Sequence, residues 1–282
     1  MNIRIIQDRL ESYQCKTVLE EEQALKEITQ EVILMSLSRQ NYFDHAEFHG
    51  GTALRILYSL RRFSEDLDFA LLLPNHNFSL LPYLNNLSKE LEAFGYEFKI
   101  QDRSTAESVV KKAFLKDDSI GKLIFLKTPG PVKKLKIKIE LDTNPPSGTN
   151  TETKYLDFPA PFGVRVKDLA SSFSGKLHAL LCRNYIKGRD WYDFIWYVSR
   201  KTTVNFSLLK SALLQQGPWQ GKKLNINKKW LVEALHKKIN SIDWKQATQD
   251  VSRFIKSDEL DSLGVWSTEF FLAECEKLSG YL

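Results

Sequence analysis

The sequence predicts an α+β protein: a mixed sheet with helices in its first part, followed by a helical second part. Three observations carry this expectation. Residues 135–142 alternate cleanly, with Ile137, Ile139 and Leu141 facing one way and Lys136, Lys138, Glu140 and Asp142 the other, as a half-buried strand requires. From Lys167 almost to the end the apolar residues recur at helical spacing instead. Between the two lies Asn144-Pro145-Pro146-Ser147-Gly148, a run of chain-breaking residues. The predicted division is a sheet domain with N-terminal helices over 1–166 and a helical domain over 167–282.

The elements follow in order. Ala24, Leu25, Ile28, Val32, Ile33 and Met35 mark a helix behind Leu19-Glu20-Glu21-Glu22, ended by a turn near Gln40-Asn41-Tyr42. Glu47-Phe48-His49 reads as a short strand, residues 52–60 as a helix and 66–72 as a strand. Residues 79–94 form a helix with Leu80, Leu84, Leu87 and Leu91 inward, stopped by Gly95. Strands are predicted at 96–101, 109–116, 121–127, 135–142 and 159–166. Helices follow at 169–183, 189–200, 206–216, 228–239, 244–256 and 267–278.

Composition narrows the class. Of the 282 residues 43% are hydrophobic and 27% charged, a balance too apolar for disorder and ordinary for a globular chain. No apolar run approaches the roughly 20 residues that span a bilayer. Met1-Asn2-Ile3-Arg4 leads into polar residues without an apolar signal region, so a cytoplasmic protein with no membrane partner is expected. Cys15, Cys182 and Cys275 are far apart and odd in number, which fits reduced thiols and not a metal site. The net charge of +5 is mild, but Lys111, Lys112, Lys116, Lys122, Lys127, Lys133, Lys134, Lys136 and Lys138 are clustered. Such a cluster suits a polyanion; it equally suits a solvated face that keeps a sheet edge from pairing.

The chemistry concentrates in two short stretches, Gly50-Gly51-Thr52 and Ser64-Glu65-Asp66-Leu67-Asp68-Phe69. A glycine pair lets the backbone approach a ligand closely. Asp66 and Asp68 share one strand face while Leu67 and Phe69 turn to the core. Adjacent carboxylates repel, and Mg²⁺ relieves that cost while taking substrate phosphates as further ligands. Two solvated surface acids are the plain alternative, opposed by the apolar run Phe69-Ala70-Leu71-Leu72-Leu73. A third carboxylate is needed for two-metal chemistry. Glu140 and Asp142 are the candidates, and Asp142, beside Thr143 and the proline break, also suits a turn cap. Arg55, Arg61 and Arg62 lie near enough in sequence to grip phosphate oxygens, and Ser64 to bond one. Arg189 and Asp193, four apart, also read as an ordinary helix ion pair. His45 and His49 have helical metal spacing but no glutamate after the first, so a zinc hydrolase is a poor reading.

Gly50-Gly51-Thr52-Ala53-Leu54-Arg55, then Arg62-Phe63-Ser64-Glu65-Asp66-Leu67-Asp68-Phe69, resembles the AbiEii-type nucleotidyltransferase toxins of the DNA polymerase β-like superfamily. The likeness continues at Ile139-Glu140-Leu141, at Ser174-Gly175-Lys176-Leu177-His178 and at Lys187-Gly188-Arg189-Asp190-Trp191-Tyr192-Asp193. It implies a polymerase β-like core and a helical domain that completes the nucleotide and acceptor site. Asp66, Asp68 and Glu140 would hold two Mg²⁺ ions, with Glu140 at the family's third acidic position. Gly50, Gly51, Thr52, Arg55, Ser64, Lys176 and Arg189 would bind a nucleoside triphosphate, and Asp190 and Asp193 would stand beside the active site. The resemblance further implies a toxin transferring a nucleotide to an acceptor such as tRNA, and a cognate antitoxin as partner. A small-molecule or protein hydroxyl as acceptor, or a non-catalytic nucleotide-binding module, remain the alternatives.

Overall fold

The computed structural model describes residues 3–104, 108–117 and 135–282. Lys122, Lys127, Lys133, Lys134 and the strand expected at 121–127 lie outside the described residues. Two compact units emerge: Met1–Pro145 with Glu152–Val166, and Pro146–Thr151 with Lys167–Leu282.

The first unit begins with α1 (Ile3–Ser12) and α2 (Val18–Arg39). Helix α1 went unpredicted because only Ile6 and Leu10 are buried along it, too sparse a stripe to register as periodicity. Helix α2 starts with a reciprocal cap: Thr17 Oγ1 accepts the Glu20 N–H (3.2 Å), and the Glu20 carboxylate accepts the Lys16 N–H (2.8 Å). It is buried almost all round, and three of its inward polar residues have partners on neighbouring elements. Glu31 takes Arg9 at 2.8 Å, Glu27 takes Arg55 at 2.8 Å, and Gln30 donates to the Ser64 carbonyl at 3.3 Å. Thus α2 grips the segment that carries the acidic motif.

The strands are β1 (Ala46–His49), β2 (Asp66–Leu71), β3 (Lys99–Asp102), β4 (Val110–Asp117), β5 (Leu135–Asp142), β6 (Thr151–Leu156) and β7 (Phe162–Lys167). Among the described residues they form one sheet in the order β3-β4-β5-β2-β1-β7-β6. The sheet is mixed: β2–β5 and β1–β7 are parallel, while β1–β2, β3–β4 and β4–β5 are antiparallel. Strand β6 was not anticipated, since none of its residues is buried and an edge strand without an apolar face gives little signal. Leu67 and Phe69 of β2, with Ile137, Ile139 and Leu141 of β5, are fully buried; α2 packs on β5 and on α4 (Leu81–Glu92). The alternate residues of β2 and β5 face the other way, which is where the acids stand.

The second unit contains α5 (Leu169–Cys182), α6 (Gly188–Ser199), α7 (Phe206–Gln215), α8 (Lys228–Ile239), α9 (Trp244–Ser252) and α10 (Thr268–Tyr281). Asp168, Asn205, Asn227, Asp243 and Ser267 each cap the helix that follows. The core centres on Trp244 stacked on Phe271 (centroids 4.0 Å), with Trp191 edge-on to both. Helix α9 stops at Ser252, earlier than predicted; the chain turns over 253–256 and then winds as a 3₁₀ segment over 257–265. Residues 148–150 are tied to this unit: Asn205 Nδ2 donates to Gly148 O (2.8 Å) and Asp168 N to Asn150 O (3.0 Å). No helix among the described residues is long and apolar enough to cross a membrane.

Candidate functional site

The glycine pair lies in the first turn of α3 (Gly50–Tyr58), not in a turn ahead of it. Gly50 has φ +82°, and a Cβ there would run into the Asp68 carboxylate, so both the backbone and the space demand glycine. A Cβ on Gly51 would press on the Arg62 guanidinium and on Ser64 Oγ. Thr52 Oγ1 donates to the Asp66 carbonyl at 2.5 Å, clamping the start of α3 onto the start of β2. The helix N-terminus, with its unpaired N–H groups, is thereby fixed beside the acidic motif, an arrangement that favours anions.

Register brings the third acid in. Asp68 is the partner of Glu140 and Asp66 of Lys138 in the parallel β2–β5 ladder, while Lys112 of β4 faces Glu140 from the other side. Glu140 Oε2 lies 2.8 Å from Lys138 Nζ and Oε1 lies 3.2 Å from Lys112 Nζ. Burial alone would raise the Glu140 carboxyl, but the two lysines outweigh it and leave it below the ordinary value. Asp142 serves the turn: its Oδ1 accepts the Asn144 N–H at 2.9 Å.

These residues supply the hard oxygen donors that Mg²⁺ takes, and Asp66 and Asp68, on one face with glycine making room, fit such an ion. Among the described residues no three His, Cys, Asp or Glu side chains converge as a ready-made metal shell. Glu140 is in register for that role, with its oxygens held by two ammonium groups.

The arginines divide. Arg55 braces the connection: its Nε meets Glu27 Oε2, its Nη1 donates to the carbonyls of Leu60 and Arg61, and its guanidinium lies over Phe63 (4.5 Å). Arg62, fully buried, donates to Phe63 O and lies under Gly51. Sequence reasoning missed Glu27 and Gln30, because a polar residue on a buried helix face looks like any other until its partner is known.

Within the second unit, Lys176 of α5 is not the solvated lysine its type suggests. Its Nζ lies 2.6 Å from Asp190 Oδ1 and 2.8 Å from Asp193 Oδ2, both on α6 and both buried. Arg183 Nε meets the other Asp190 oxygen at 3.2 Å. Burial would raise the Asp190 carboxyl, but Lys176, Arg183 and Lys187 hold it down at about 2. Burial lowers Lys187 to about 8, against the pull of Asp190. Gly188 is forced, since a Cβ there would overlap the Ala247 carbonyl on α9. Arg189 lies over the Phe254 ring at 4.1 Å. His178 Nε2 contacts the Gln216 carbonyl at 3.2 Å, a packing role.

A family model described as nucleotidyl transferase AbiEii toxin, type IV TA system, matches residues 32–273. The chain belongs to this family. Membership places it among the DNA polymerase β-like nucleotidyltransferases and makes nucleotidyl transfer its class of activity. Solved structures agree in fold. JHP933 from Helicobacter pylori is 18% identical over 92% of this chain and 91% of its own, with a TM-score of 0.51. MenT4, a nucleotidyltransferase toxin from Mycobacterium tuberculosis, is 14% identical over 99% of both chains, with a TM-score of 0.52. No curated protein matches the sequence. For an AbiEii-family chain, the glycine-opened helix beside the acid-bearing strands carries the stretches around Gly50, Asp66 and Glu140, and the stretches around Lys176 and Asp190 lie on α5 and α6.

Proposed function

We propose that this AbiEii-family protein is a Mg²⁺-dependent toxin that transfers a nucleotide from a nucleoside triphosphate to a hydroxyl of RNA, with tRNA the favoured acceptor. The observation that carries the reading is the register of Asp66, Asp68 and Glu140 on one sheet face beside the N-terminus of α3. Asp66 and Asp68 hold the divalent ion, and Glu140 joins them toward the attacking hydroxyl. Such an ion, when bound, neutralises charge on the attacking and leaving oxygens at the α-phosphate. The backbone N–H groups at Gly51 and Thr52, with Ser64, receive phosphate oxygens. Arg55 keeps the α3–β2 connection in place and is left out of the phosphate contacts. In the helical part, Asp190 and Asp193 hold the Lys176 ammonium, the group we assign to nucleotide binding, and Arg189 supports that motif. An antitoxin is the expected protein partner. Purified protein incubated with Mg²⁺, each labelled triphosphate and total RNA tests the reading. Label appearing in RNA with release of pyrophosphate is expected; label on protein or in a small molecule moves the acceptor, and no label anywhere rejects nucleotidyl transfer.

A further inference from the structure

Lys138 occupies an unusual place for a strand lysine. It sits on the acid-bearing face, across the ladder from Asp66, diagonal to Asp68 and two residues before Glu140 on its own strand. Its ammonium touches Glu140 at 2.8 Å, and its side chain is more sheltered than that of Lys112, the other lysine on this carboxylate (27% against 45% exposed). Asp66, Asp68 and Glu140 with Lys112 and Lys138 leave one net negative charge in this cluster. Oxygen-ligand sites take divalent ions more tightly as their negative charge rises. Resting on the metal site of the proposed function, we propose that Lys138 is a tethered counter-cation competing with the divalent ion for the acid face. The face then takes up metal weakly until a triphosphate gives the ammonium another anion. An ordinary surface salt bridge would also explain the contact, but a bridge of that small strength would change metal affinity little when removed.

The discriminating measurement is Mn²⁺ affinity in the nucleotide-free full chain at low salt, read from the free-Mn²⁺ electron paramagnetic resonance signal. Lys138→Met removes one positive charge beside the carboxylates and is expected to tighten Mn²⁺ binding about tenfold or more. Lys138→Arg retains the charge and is expected to stay near wild type. Lys138→Gln replaces the methionine variant if that one melts early. An unchanged or weaker affinity in the neutral variants overturns the inference, as does a gain that survives Asp68→Asn, which would put the ion elsewhere. The labelled-nucleotide assay is scored separately. Transfer without the change in Mn²⁺ affinity overturns this inference alone; no transfer with any triphosphate overturns the function it rests on.

Discussion

Asp68 stands directly across from Glu140 in the parallel ladder between β2 and β5. Side chains at paired positions point to the same face, so the two carboxylates, 72 residues apart in sequence, are presented together only because the register of their strands holds. That register is fixed by Leu67 and Phe69 against Ile139 and Leu141, since a slip of one residue would turn every acid inward.

Replacing Asp66 or Asp68 with asparagine is therefore expected to reduce nucleotide transfer about a hundredfold or more while sparing the fold. Transfer is read with labelled triphosphate and melting by circular dichroism. A variant of either residue with wild-type turnover removes it from the metal site.

Glu140 and Asp142 are separated by their partners. Glu140→Gln should lower turnover sharply, because the neutral amide is a poor ligand for a divalent ion. Asp142→Asn should leave turnover nearly intact and cost about 1 kcal/mol of stability through its bond to the Asn144 N–H. Turnover and urea melts of both variants decide it, and the reverse ranking gives the third-acid role to Asp142.

Gly50→Ala tests the close approach. A left-handed backbone and a Cβ driven into the Asp68 carboxylate should cost about 1–3 kcal/mol and displace that carboxylate. Melting point and turnover should both fall. Unchanged turnover would mean that the position of Asp68 against α3 does not matter to the reaction.

Much of this arrangement was legible in the sequence because it follows local rules. Strand β5 was bounded correctly by its alternation, and α8 by its helical stripe between Asn227 and Asn240. The face shared by Asp66 and Asp68 required only the strand period. What stayed hidden depends on distant partners. The commitment of Arg55 to Glu27, and of Lys176 to Asp190 and Asp193, cannot be read from residue type. Helix α1 and strand β6 were missed for want of an apolar stripe. The boundary at 166/167 follows from the switch to helical spacing, but the hydrogen bonds that tie 148–150 to the helical unit before the chain returns to the sheet depend on distant partners.

The Lys176–Asp190 pair gives a pH-dependent test. Asp190 is buried and its carboxyl is held at about 2 by Lys176, Arg183 and Lys187, below the value of roughly 3.9 expected in the unfolded chain. A carboxyl depressed in the folded state contributes stability above its unfolded value and loses it as the pH falls toward the folded one. The contribution is about 2–3 kcal/mol near neutrality and should fade from about pH 4 toward about pH 2. Asp190→Asn removes it, leaving Lys176 with Asp193 and Arg183 without its acid. Denaturant melts at pH 7 should show the variant clearly weaker than wild type, and the gap should narrow at pH 3. A gap of the same size at both values would mean that Asp190 stabilises the helices through shape and hydrogen bonding, with its charge making no difference.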